Sequence, residues 1–174
     1  MQRSSIPTTD DIISYYNQFS KRTLLRDYQR RNLRQAAAMA FFDKHIPKGS
    51  IVLEIGCGTG IISKGLARKA SALICVDISP DTIAMARQYV CDAKVRFLAM
   101  DITNGAQVLR QYAPFDAIVM ADVLEHIPKH KHAGLFAELE RLLHPGGLVL
   151  LTMPSPEYQE WLKIRSPDAL QIVD

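Results

Sequence analysis

An apolar run that leads directly into three glycines constrains the fold more than any other feature of this sequence. Residues Ile51–Ile55 are mainly apolar and rich in β-branched side chains, which predicts a buried strand. Gly56, Gly58 and Gly60 follow it and open a helical segment. Glycines accept backbone angles forbidden to other residues and let a ligand approach the main chain closely. This order indicates an open α/β sheet that binds its ligand beyond the carboxyl ends of its strands.

The same alternation of apolar runs and helical segments continues along the chain. The predicted strands are Ile51–Ile55, Ala72–Val76, Val95–Met100, Phe115–Met120 and Leu148–Met153. His144–Gly147 is predicted to be a turn before the last strand, and Ser79 is predicted to cap a helix that begins at Pro80. We therefore predict an α/β fold, a Rossmann-like, mainly parallel sheet with helices on both faces.

The first 45 residues have a helical pattern, divided into two pieces. Thr9 or Asp10 is predicted to cap the first piece, and the second is predicted over about Asp27–Lys44. Its predicted apolar face consists of Leu33, Ala36, Ala37, Ala40 and Phe41. We therefore divide the chain into a helical segment, residues 1–45, and an α/β core, residues 46–174.

Composition restricts the class of protein. The formal net charge of +3 is too small for a nucleic-acid binder defined by charge alone. Cys57, Cys75 and Cys91 form no CxxC pair, which argues against a disulfide framework and a zinc site. The polar start lacks a signal peptide, and the longest apolar run, Gly147–Met153, is too short to span a bilayer. We expect a cytoplasmic protein without a membrane span.

The residue types around the glycine turn indicate which ligand it binds. The spacing is GxGxG, whereas the dinucleotide fingerprint is GxGxxG. Glu54, two residues before the first glycine, would repel a phosphate but attract a cationic amino group. S-adenosylmethionine has such a group and no phosphate, so it is the predicted cofactor. A nucleotide-dependent oxidoreductase is the disfavoured alternative.

Two further acidic residues end neighbouring predicted strands. Asp77 can accept both hydroxyl hydrogens of a ribose, which fits NAD as well as S-adenosylmethionine. Asp101 can accept from the exocyclic amine of adenine, with Ile78 and Ile102 packed against the ring. The alternatives are that Asp77 only begins a helix and that Asp101 only caps the next segment.

Four stretches together resemble the class I methyltransferases. They are Val52–Gly60, Val76–Ser79, Leu124–Ile127 and Leu142–Val149, and the resemblance extends over Ile51–Pro154. The nearest type is similar to the ubiquinone-biosynthesis O-methyltransferases, which act on small molecules. The resemblance implies that residues 1–45 form a lid over the cofactor. It also implies these cofactor contacts: Arg34, Glu54, Gly56, Cys57, Gly58, Gly60, Asp77, Ile78, Asp101, Ile102, Ala121 and Asp122. For Arg34, the alternative is a solvated helix face.

The methyl acceptor is predicted from weaker signals. His126 follows the fourth strand and is the candidate general base, and its alternative role is that of a structural elbow. Tyr15 and Tyr16 are candidates for the acceptor pocket, or else pack in the interior. His130 and His132 are predicted at the surface, without a metal site. The Asn-Pro-Pro-Tyr type signature of amide and adenine N-methyltransferases is absent, which disfavours nucleic acid as the acceptor. We therefore expect a small-molecule acceptor, with methylation at oxygen favoured and nitrogen or carbon as alternatives.

The sequence departs from the family at its carboxyl end. The family sheet has seven strands, and two more do not fit between Pro154 and Asp174. We therefore expect the fold to lack the last two strands, which leaves the fifth strand as an edge that a homodimer could cover. The second functional hypothesis is a cofactor-binding module or fragment without catalysis that acts with a partner.

Overall fold

The computed structural model describes residues 8–18 and 32–165. Its centre is a sheet of five strands in the order β3-β2-β1-β4-β5, and every neighbouring pair is parallel. The strands are β1 Ile51–Ile55, β2 Ala72–Asp77, β3 Val95–Ala99, β4 Phe115–Ala121 and β5 Leu143–Thr152. The order reverses between β1 and β4, and ligands of open α/β sheets bind at such a reversal.

Helices connect the strands and flank the sheet. Those described are α1 (9–18), α2 Leu33–His45, α3 Ile61–Ala67, α4 Pro80–Tyr89, α5 Ile102–Gly105, α6 Lys129–Leu142 and α7 Pro156–Arg165. Two short 3-10 segments, Ala106–Gln111 and Leu124–His126, lie before and after β4. None of the described helices is long and apolar enough to cross a membrane.

Alternate residues of the strands enter two separate cores. Val52 packs with Phe42 of α2 and Leu66 of α3, whereas its neighbour Leu53 packs on the opposite face with Leu139 of α6. This period of two is expected when a sheet is covered on both sides. The predicted parallel sheet with helices on both faces is confirmed.

The predicted cap of α4 is also confirmed, but that of α1 is wrong by one residue. Ser79 Oγ accepts the N–H of Thr82 at 3.1 Å, with Pro80 at the first helical position. At α1, Thr8 takes the place predicted for Thr9 or Asp10. Thr8 Oγ1 accepts the N–H of Asp11 at 3.2 Å, and Asp11 Oδ2 accepts the N–H of Thr8 at 2.9 Å. Each side chain therefore accepts a backbone N–H group that has no partner within the helix. A single cap at the next residue would satisfy only one such group.

The predicted apolar face of α2 is wrong. Leu33 is 76% exposed and Phe41 is 38% exposed, whereas Ala38 and Phe42 are buried. The predicted face, whose other members are Ala36, Ala37 and Ala40, is therefore rotated away from the core. Alanines occur on several faces of α2, so their spacing does not identify which face of the helix is buried. Residues 27–31 of the predicted helix lie outside the described residues.

The strand β5 begins earlier than predicted. It starts at Leu143 rather than Leu148, and the expected turn His144–Gly147 lies within it as an irregularity. Phe115 of β4 is opposite Leu143, yet Ala117 is opposite Leu148. The intervening residues of β5 bulge out, because β4 has only one residue to oppose them.

The helices α2 and α3 approach closely at a glycine. A Cβ atom added to Gly65 would lie 2.3 Å from Met39 Sδ. Gly65 therefore provides the space that the Met39 side chain occupies.

Candidate active site

The glycine turn is fixed to the end of β2 by its backbone. Gly56, Gly58 and Gly60 have φ values of +70°, +52° and +87°. The N–H groups of Gly56 and Cys57 donate to the carbonyl oxygen of Val76 at 2.8 and 3.1 Å. The left-handed angles explain the three glycines, since other residues adopt them at a cost.

The three glycines have different surroundings. A Cβ atom on Gly56 would lie 2.3 Å from Val123 Cγ2, so the loop that follows β4 packs directly on the turn. A Cβ atom on Gly60 would lie 3.1 Å from Val90 Cγ2 of α4. A Cβ atom on Gly58 would meet nothing within 4 Å. Gly58 therefore leaves open space in which a ligand can approach the backbone.

Asp77, at the end of β2, links this turn to the start of α4. Its Oδ2 accepts the N–H of Gly58 at 2.9 Å, and its Oδ1 accepts the N–H of Ser79 at 3.0 Å. Burial raises the pKa of Asp77, and these two hydrogen bonds counteract the rise. A carboxylate has about four acceptor positions, so two bonds leave capacity for a ligand. The predicted ribose contact, with Ile78 beside it, stays a prediction.

Glu54 lies beneath the turn rather than at its surface. It is 2% exposed, and its Oε2 accepts from Ser63 Oγ of α3 at 2.6 Å and from Cys75 Sγ at 3.3 Å. Burial raises its pKa to about 7. Cys57 is buried beside it, and burial raises the pKa of its thiol well above the usual value. The geometry assigns Glu54 a role in holding α3, and the predicted contacts of Glu54 and Cys57 with the cofactor stay predictions.

Asp101 has the capping geometry that the sequence left open as its alternative. Its Oδ1 accepts the N–H of Thr103 at 2.9 Å, and its Oδ2 accepts from Asn104 Nδ2 at 2.7 Å. Ile102 is buried in the core below it. The expected contacts of Asp101 and Ile102 with adenine stay predictions.

The residue directly after Ala121, the last residue of β4, has an unusual backbone conformation. Asp122 has a φ of +57° although it is not glycine, and such strain often marks functional sites. Its Oδ1 accepts from Thr152 Oγ1 at 3.4 Å, and its Oδ2 accepts from the Arg34 guanidinium. Arg34 also lies over the Tyr158 ring at 5.6 Å. Arg34, predicted to meet the cofactor carboxylate, therefore binds Asp122 in this structure.

The helix α1 lies against the same end of the sheet. The Tyr16 and His126 rings meet edge to face with their centroids 6.1 Å apart, and Tyr15 packs on Tyr16 at 5.3 Å. Ser79 Oγ donates to Asn17 Oδ1, so α1 also contacts the start of α4. Burial raises the pKa of Tyr16, assisted by the charges of Asp77 and Glu125. The predicted role of residues 1–45 as a lid stays a prediction.

The sequence reading missed Glu125, which lies next to His126. The Glu125 side chain is 9% exposed, and its Oε1 lies 3.9 Å from His126 Nε2. Its Oε2 is buried and has no hydrogen-bond partner among the described residues. Burial raises its pKa to about 7. Nothing in the stretch Leu124–Ile127 indicates that this carboxylate is buried, so the sequence does not single it out.

The remaining histidines of this region contribute to structure. His132 contacts the carbonyl oxygen of Ile127 at 2.7 Å, which holds the loop before α6, and His130 is exposed. Within residues 8–18 and 32–165, no group of three metal-ligating side chains comes together.

Comparison with known proteins identifies the family. Residues 52–147 match the methyltransferase domain family, which is more than half of the chain. The chain belongs to this family. It is 31% identical over 113 residues to the ubiquinone biosynthesis O-methyltransferase of Xylella fastidiosa, a match that covers 64% of this chain and 45% of that protein. The chain thus spans about half the length of the curated relatives that it matches.

Solved structures show the same fold in other methyltransferases. One is the magnesium protoporphyrin IX methyltransferase of Synechocystis with bound SAH, at a TM-score of 0.68 and 19% identity, covering 96% of this chain and 82% of that one. Another is the TehB-like SAM-dependent methyltransferase of Corynebacterium glutamicum, at a TM-score of 0.68 and 18% identity, covering 88% and 82%. The predicted membership of the class I methyltransferases is confirmed. The relatives and solved structures named here are methyltransferases by name.

Proposed function

We propose that this chain binds S-adenosylmethionine and transfers its methyl group to an oxygen atom of a small-molecule acceptor. The ubiquinone-biosynthesis O-methyltransferases among its relatives support oxygen as the acceptor atom. Neighbouring structures with bound SAM or SAH support the cofactor.

The residues at the carboxyl ends of β1 and β2 fit this cofactor. Gly58 leaves open space above the backbone, and Asp77 has acceptor capacity beyond its bonds to Gly58 and Ser79. Gly58 and Asp77 would hold the adenosine portion, and Arg34 would hold the carboxylate. When bound, the cofactor supplies a methyl group already activated by the sulfonium.

One observation carries the assignment of a catalytic base. The loop with His126 packs on the cofactor turn through Val123 and Gly56, so a histidine lies beside the proposed cofactor site. Transfer to a hydroxyl would form a bond from its oxygen to the methyl carbon, break the bond from that carbon to sulfur, which keeps the electron pair, and release the hydroxyl proton. His126 accepts that proton, and Tyr16 and α1 exclude water from the same end of the sheet.

The test measures methyl transfer and binding separately. The protein is incubated with methyl-labelled S-adenosylmethionine and the small-molecule fraction of a cell extract, and labelled products are separated. We expect His126→Ala to lower the rate at least about 100-fold, the usual share of a general base, with unchanged calorimetric affinity for the cofactor. His130→Ala, at an exposed position in the next helix, is the matched control.

Other outcomes would contradict parts of the proposal. Normal turnover with a lower melting temperature in His126→Ala would assign this residue to the structural elbow. Cofactor binding without any labelled product from the unmodified protein would favour the module without catalysis. Binding of NAD in place of S-adenosylmethionine would overturn the proposal as a whole.

The proposal includes two further expectations. A homodimer that covers the edge of β5 predicts a dimeric mass by light scattering, and a monomeric mass would refute it. A cytoplasmic location predicts recovery in the cytosolic fraction of cells.

A further inference from the structure

Glu125 is a buried carboxylate with one oxygen that makes no hydrogen bond to the described residues. Its side chain is 9% exposed, and its Oε2 has no hydrogen-bond partner among the described residues. Leaving a buried carboxylate in this state is costly, and such a group either keeps its proton or binds a cation. Because a neutral His126 leaves this oxygen uncompensated, Glu125 can interact with the positive charge of a ligand.

The charged groups around Glu125 come from three elements. The positive charge of Arg34 on α2 lowers the pKa of Glu125, but the Arg34 guanidinium is bound to Asp122. The negative charge of Asp122 adds to that of Glu125. His126 Nε2, on the same loop, lies 3.9 Å from Oε1 and is a cation only when protonated. Tyr16 of α1 faces both Glu125 and Asp77.

The position of this loop connects Glu125 to the cofactor site. Val123, two residues earlier, packs on Gly56 of the glycine turn. Tyr16 packs on His126, the residue after Glu125, and the charges of Asp77 and Glu125 both raise its pKa. A charge on Glu125 would therefore be felt by a ligand bound at the turn, because charges are screened weakly in a protein interior.

We propose that Glu125 distinguishes the methyl donor from its demethylated product by attracting the positive sulfonium, a charge that the neutral thioether of S-adenosylhomocysteine lacks. This inference rests on the proposed function. After transfer the positive charge at sulfur is gone and the attraction is lost, so Glu125 favours binding of the donor and release of the product.

The ionisation of Glu125 gives the inference a pH dependence. Burial raises the pKa of Glu125 to about 7, so the carboxylate is neutral at pH 6 and charged at pH 8. Affinity for S-adenosylmethionine should rise with pH relative to affinity for S-adenosylhomocysteine. A protonated His126 would also weaken binding of S-adenosylmethionine at low pH, because its positive charge repels the sulfonium. A variant is therefore needed to separate the effects of Glu125 and His126.

The experiment is calorimetric titration of the protein with S-adenosylmethionine and S-adenosylhomocysteine at pH 6 and pH 8. We expect the ratio of the two affinities to shift toward the donor by about five- to tenfold at the higher pH. Glu125→Gln should remove this shift. Glu140→Gln, at an exposed position on α6, should retain it.

Each other result decides against the inference. An affinity ratio in the unmodified protein that does not change with pH overturns it without any variant. A pH shift retained in Glu125→Gln assigns the effect to another group, such as His126. Equal loss of affinity for both ligands makes Glu125 a structural residue of the loop. If the unmodified protein binds neither ligand, the proposed function fails as well.

Discussion

Arg34 of α2 binds the carboxylate of Asp122, a residue 88 positions later in the chain. The ion pair joins the N-terminal helices to the loop that follows β4, where His126 and Glu125 lie. The Arg34 side chain is 47% exposed, so the pair adds little to stability by itself. The pair fixes the position of α2 relative to the loop that packs on the glycine turn.

Asp122 offers a test of backbone strain. Its φ of +57° costs a residue with a side chain about 1 kcal/mol more than glycine. Asp122→Ala and Asp122→Gly both remove the carboxylate, but only alanine keeps the strain. We expect Asp122→Gly to be more stable than Asp122→Ala by that amount in urea unfolding. Equal stabilities would show that the loop relaxes to another conformation.

Gly56 and Gly58 should respond differently to alanine. In Gly56→Ala the alanine must adopt a left-handed φ, and its methyl group would overlap the Val123 side chain. We therefore expect a loss of stability of about 2 kcal/mol or more. Gly58→Ala has open space and should lose only about 1 kcal/mol from strain. Cofactor affinity should fall in Gly58→Ala, because the methyl group enters the proposed ligand space.

A double variant checks the cause of the first effect. Gly56→Ala combined with Val123→Ala removes the steric contact and should recover part of the lost stability in chemical unfolding. No recovery would assign the whole effect to the backbone angle.

Asp77→Ala should weaken binding of S-adenosylmethionine. It removes a charged hydrogen-bonding partner, which corresponds to about 1.5–3 kcal/mol of binding free energy. It also removes the acceptor for the N–H of Gly58, so the turn loses a restraint. Calorimetry measures the affinity, and Asp43→Ala, whose side chain is 58% exposed near the end of α2, is the control. An unchanged affinity would exclude Asp77 from the site.

Glu54 should make the protein less stable as pH rises. Its pKa in the folded protein is about 7, above its ordinary value of 4.5, so the folded state keeps a proton that the unfolded chain has released. The stabilising effect of that proton is complete below the ordinary pKa and is lost as pH rises through 7. Such a shift corresponds to roughly 3 kcal/mol.

The measurement compares Glu54→Gln with the unmodified protein in urea at pH 5 and pH 8. The variant cannot ionise, so its stability relative to the unmodified protein should improve at the higher pH. Glu140→Gln, exposed on α6, should show no such change. A constant difference between Glu54→Gln and the unmodified protein at the two pH values would show that Glu54 ionises normally.

Local signals in the sequence predicted most of the fold. The strands were predictable because apolar β-branched runs such as Ile51–Ile55 are buried on both faces of a parallel sheet. The start of α4 was predictable because Ser79 and Pro80 act within one turn of the helix. The glycine turn was predictable because its left-handed angles favour glycine.

Relationships between distant segments were not predictable in this way. Nothing in the spacing of Arg34 and Asp122 indicates that they pair, because the contact depends on how α2 packs on the sheet. Glu54 is predicted from the sequence as a cofactor contact because it precedes the glycine turn, whereas Ser63, which donates to it, becomes a neighbour only in the fold. Glu125 likewise becomes notable only when its burial is known.

The close approach of Gly65 and Met39 sets the spacing between α2 and α3. Met39 is on the same helix as Arg34, and Gly65 is on the helix that the glycine turn opens. A larger residue at position 65 would displace α2 and move Arg34 relative to the cofactor turn. The spacing of two helices, set at a position away from the glycine turn, can therefore change which ligands fit at the turn without any change in the residues that line it.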